Sequence, residues 1–140
     1  MSWKSARRGC RLLSRSRVGI PSITSVLTQP EIVSALQRRV REGRLEAHQA
    51  QQLAQQVVEH MTQSYTLAAI TPPIITQACA LLQRHPLRAY DALHLACALA
   101  IREAIAQQQL AGPVFVAADD PLLAAAATEG FPVDNPLQHP

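Results

Sequence analysis

Apolar residues recur at helical spacing along most of this chain, and what changes from stretch to stretch is the character of the positions between them. Ile32, Val33, Leu36 and Val40 form one stripe of an amphipathic helix. Thr28-Gln-Pro-Glu31 opens it, with Thr28 a candidate N-cap, Pro30 suited to the first turn and Glu31 completing a cap-like spacing. Arg38, Arg39, Arg41 and Arg44 gather toward its C-terminal end, where cations suit the helix dipole, and Gly43 marks the stop. Glu46 to about Thr62 repeats the pattern: Leu53, Val57, Val58 and Met61 point inward, and Gln51, Gln52, Gln55 and Gln56 point to water.

The β-branched run Ile20 to Leu27 and the run Tyr65 to Ile70 read as short strands. Pro72-Pro73 starts a third helix, through His85, with Ile74, Ile75, Ala78, Leu81 and Leu82 inside and Pro86 as the stop. From Ala89 to Ile101 the polar positions nearly vanish, and only Asp91 and His94 break the apolar run. Apolarity on all sides predicts a buried helix, ending in Gln107-Gln-Gln109. After a turn at Gly112-Pro113, Val114 to Ala117 reads as a fully apolar strand of the buried, parallel kind. Asp120 as N-cap with Pro121 behind it starts a helix from Leu122 to Glu129, capped by Gly130. Phe131 to Val133 is a last short strand, and no internal repeat is present.

Strands alternating with helices predict a helix-rich α/β fold with a central parallel sheet. A length of 140 residues suits one domain, here residues 20–136 behind a basic segment at residues 1–19. With 48% hydrophobic and 16% charged residues the chain has the composition of a globular protein. No window is long and apolar enough for a membrane span.

The net charge of +3 conceals an asymmetry. Lys4, Arg7, Arg8, Arg11, Arg15 and Arg17 face no acid in residues 1–17, and the remaining seven basic residues against ten acidic ones give −3. The first segment therefore matches a transit-like leader, a nucleic-acid-binding arm or a poorly ordered terminus. Cys10, Cys79 and Cys97 are odd in number and lack a C-x-x-C spacing. Cys79 and Cys97 fall on apolar helical faces, so a reducing, cytoplasmic setting is expected rather than a disulfide framework. No apolar signal region precedes the body.

Three acids stand where open α/β sheets collect ligands, at or near the carboxyl ends of strands. Glu31 follows the first candidate strand, Asp119 follows Val114 to Ala117, and Asp91 lies near the start of the buried helix. Three converging carboxylates would repel one another unless a divalent cation lay between them, and Mg²⁺ and Mn²⁺ prefer such oxygen ligands. Each acid also has a plainer reading: Glu31 as a first-turn acid, Asp119 sharing a cap with Asp120, Asp91 capping its own helix. His94, three residues after Asp91, reads as a core histidine with a hydrogen-bond partner rather than a catalytic group. H-E-x-x-H, P-loop, G-x-S-x-G and G-x-G-x-x-G motifs are all absent. With Trp3, Tyr65, Tyr90, Phe115 and Phe131 as the aromatics, a base-stacking platform is not expected.

Arg88-Ala-Tyr-Asp-Ala-Leu-His-Leu-Ala96, then Val114-Phe-Val-Ala-Ala-Asp-Asp-Pro-Leu-Leu123 and Glu129-Gly-Phe-Pro-Val-Asp-Asn-Pro136, resemble the C-terminal half of a PIN-domain ribonuclease of the VapC toxin type. Thr28 to Arg39 resembles the segment carrying that family's second acid. The resemblance covers residues 20–136. It implies a three-layer α/β/α domain, Mg²⁺- or Mn²⁺-dependent cleavage of RNA, and a cognate antitoxin that blocks the site, with a homodimer as a further family expectation. By motif match Glu31, Asp91 and Asp119 fall on three of the family's acidic positions.

Two departures accompany the likeness. Such domains open with a strand carrying an aspartate, and this chain has no acid before Glu31 and no Asp before Asp91, so the first strand and its ligand are expected to be missing. The family often carries a hydroxyl residue two before the last Asp, where this chain has Ala117. A truncated or mis-started frame, a degenerate toxin and completion by a partner strand all fit this pattern. Three functions follow as expectations: a metal-dependent endoribonuclease toxin of reduced activity, a non-catalytic remnant that binds an antitoxin-like partner, and a nucleic-acid binder using residues 1–17.

Overall fold

The structure, a computed structural model, describes residues 22–139. The readings for residues 1–17, Cys10 and the first residues of the Ile20 strand lie outside them. The chain divides into two compact units, Met1–Ala68 and Ala69–Pro140, within what the sequence presents as one domain.

In the first unit β1 (Ile23–Ser25) leads into α1 (Thr28–Arg41), α2 (Ala47–Ser64) and β2 (Thr66–Ala68). The strands pair in parallel with Ile23 opposite Thr66 and Ser25 opposite Ala68. Parallel strands need a crossover, and the two helices supply it. Ile32, Leu36, Ala50 and Met61 form the buried core, and Val40, Leu53, Val57, Tyr65 and Leu67 pack around it. Val33, placed on the inward stripe by its spacing, is 37% exposed.

The expected cap at Thr28 is replaced. Leu27, already in helical conformation, holds the cap position of α1. The buried Ser25 hydroxyl accepts the Leu27 N–H at 3.1 Å, turning the chain one step earlier, and the Thr28 and Thr24 hydroxyls bond to each other at 2.8 Å. Gly43 closes α1 with φ +67, a left-handed conformation that glycine adopts without a Cβ penalty. Entry into α2 is fixed by Gln49, whose Oε1 accepts the Glu46 N–H at 3.2 Å.

The second unit runs α3 (Pro72–Arg84), α4 (Ala89–Gln107), β3 (Phe115–Val116), α5 (Asp120–Thr128) and β4 (Val133–Asp134). β3 and β4 pair in parallel, with Val116 opposite Asp134. Ala78, Leu81, Ala92, Leu95, Ala96, Leu122, Ala125, Ala126 and Phe131 make the core. Small residues at 78, 92 and 96 permit close approach of α3 and α4, and Phe115 tilts against Phe131 at 5.6 Å.

Three expectations of burial are corrected here. α4 buries one face, Ala92, Leu95, Ala96 and Cys97, while Tyr90 and Ala100 are exposed. Val114 and Val116 are 56% and 40% exposed, because β3 belongs to a two-stranded sheet whose core side takes Phe115 and Ala117. Cys79, Ile75 and Leu82 lie on the outer side of α3, and Cys97 is buried. Neither Cys79 nor Cys97 is in a disulfide. The observed class is thus helix-rich with two small parallel strand pairs. Among the described residues no helix is long and apolar enough to cross a membrane.

Candidate functional site

Each unit places an acid just past the carboxyl end of a parallel strand. In the first, the chain leaves β1 and enters α1, and Glu31 sits half-buried in the first helical turn, where a carboxylate is favoured by the helix dipole. Its own N–H donates to the Leu27 carbonyl at 3.2 Å.

In the second unit, Asp119 follows β3 in extended conformation and is half-buried. Its Oδ1 accepts the Leu122 N–H at 3.0 Å, so Asp119 is the N-cap of α5. The expected cap, Asp120, is the first helical residue instead. Pro121 then occupies the first turn, where a missing N–H costs nothing, and Asp120 Oδ1 accepts from Asn135 Nδ2 at 3.4 Å.

β4 ends nearby in sequence order on a second polar group. Asp134 Oδ1 lies 2.6 Å from His139 Nε2, and Asn135 Oδ1 accepts the Leu137 N–H at 2.9 Å. Asp134, Asn135 and His139 were not singled out by sequence reasoning. The rule that found Asp119 reaches Asp134 and Asn135 as well, because they directly follow the apolar run Phe131 to Val133.

Asp91 occupies the first turn of α4, half-buried, and His94 is half-buried one turn later. The N-cap position is held by Arg88, so Asp91 is not the N-cap of this helix and lies inside its first turn. Asp91 and Asp119 both belong to the second unit and Glu31 to the first. Among the described residues no three His, Cys, Asp or Glu side chains are grouped so as to hold a metal ion.

A different polar cluster is well defined, and sequence reading missed it. Glu129 Oε1 lies 2.6 Å from His85 Nε2 and accepts from Arg84 at 3.1 Å. The hydrogen bond from His85 is the largest cause that holds the Glu129 carboxyl below the usual range; burial opposes it, and the Arg84 guanidinium adds to the lowering. Arg102 of α4 donates to the Glu129 carbonyl at 2.7 Å and stacks 4.4 Å above the Phe131 ring. The cluster ties the ends of α3 and α5 to the middle of α4. No periodic signal announces it, since His85 and Glu129 are 44 residues apart.

No protein-family model, curated protein or solved structure matches the chain.

Proposed function

We propose that the chain is a metal-dependent endoribonuclease, the toxin half of a toxin–antitoxin pair, built on a PIN-like three-layer α/β/α plan whose first strand is not represented in the described residues. In this reading Glu31, Asp91 and Asp119 serve a Mg²⁺ or Mn²⁺ ion, RNA is the substrate, an antitoxin protein covers the site, the protein acts in the cytoplasm, and it forms a homodimer.

The supporting observation is the repeated placement of a half-buried acid after a parallel strand, Glu31 after β1 and Asp119 after β3. Carboxylate oxygens are the ligands that these hard cations select. Mg²⁺ characteristically keeps several waters and binds through one or two carboxylates together with substrate phosphates, so a closed cage of three protein ligands is not required. When bound, such an ion lowers the pKa of water and stabilises the leaving oxygen of a phosphodiester. The chain's own contribution is orientation. The Leu122 N–H fixes one Asp119 oxygen at 3.0 Å and leaves the other as an acceptor. The first turn of α4 holds Asp91 at a helix start, where the helix dipole suits an acidic side chain.

The test is cleavage of RNA by the purified full-length chain with Mn²⁺, against an EDTA control. Asp91→Asn and Asp119→Asn should each reduce the rate by about 100-fold or more, the scale of several kcal/mol of lost charge stabilisation. Unaltered cleavage in Asp91→Asn would remove this assignment.

A second reading, a non-catalytic PIN-like protein that only binds an antitoxin-like partner, is motivated by the sequence, in which no acid precedes Glu31 to match the family's first Asp. Capture of such a partner without any metal-dependent cleavage would select it, and a measured turnover would eliminate it.

A further inference from the structure

We draw no further inference here: the strongest candidate, the exposed apolar stripe of Ile75, Cys79 and Leu82 along the outer side of α3, is a bare helix face, and nothing in the structure shows what covers it.

Discussion

The two units solve the same problem with opposite kinds of helix. In the first, α1 and α2 alternate apolar and polar positions, and a small core of Ile32, Leu36, Ala50 and Met61 lies beneath a face of arginines and glutamines. In the second, α4 and α5 are apolar nearly all round, the core is larger, and valines and a tyrosine remain on the outside. The first unit is held by burial and local caps. The second adds a long-range polar cluster in which Glu129 gathers Arg84, His85 and Arg102. Amphipathic helices state their orientation in their sequence; uniformly apolar ones leave it to their neighbours. That is why periodicity places the glutamine face of α2 in water and leaves the exposed side of α4 undetermined.

Core truncation should separate the units most sharply. Leu95→Ala removes a side chain that is fully buried among Ala92, Ala96 and Leu122, and should cost about 3–5 kcal/mol; Leu36→Ala should cost about 2–4 kcal/mol in the smaller core. Hydrogen exchange read by mass spectrometry would show whether each destabilisation stays within its own unit. If Leu36→Ala accelerated exchange in α4 as much as in α1, the two units would be one cooperative block.

Breaking the polar cluster should come next. Glu129→Gln keeps the shape but removes the charge that His85 and Arg84 meet, and should destabilise by about 1–2 kcal/mol, the range for a partly solvated charged hydrogen bond. The pH dependence has a definite sign. Glu129 has a lowered pKa in the folded state, so its contribution is complete above the usual glutamate value and fades as pH falls through the depressed one. Urea titrations from neutral pH into acid should show this acid sensitivity in the wild type and a weaker one in Glu129→Gln.

The glycines give a finer contrast. Gly130 (φ +92) and Gly43 (φ +67) are both left-handed, but a Cβ at Gly130 would meet Arg102 Nη1 at 3.4 Å, whereas at Gly43 nothing lies within 4 Å. Gly130→Ala should cost about 1–2 kcal/mol and Gly43→Ala about 1 kcal/mol or less. Equal midpoints in urea for the two variants would show that Arg102 yields without cost. The smallest effect belongs to α2: Gln49→Ala should cost about 0.5–1 kcal/mol, because the Glu46 N–H is left without its acceptor but is exposed to water.

Sequence by itself determined the order of elements, the parallel character implied by strands separated by helices, and the polar face of the first unit. These follow from periodicity and from turn residues, which act over a few neighbours. It also picked out Glu31, Asp91 and Asp119 as acids at helix starts, since their positions depend only on local chain order. Tertiary structure decided the rest. It gave the α5 cap to Asp119 rather than Asp120, moved the start of α1 through the buried Ser25 hydroxyl, and left Val114 and Val116 exposed. It also joined Glu129 to His85 across 44 residues. Such choices depend on which distant side chains arrive at a given atom, and no pattern of neighbouring residues carries that information.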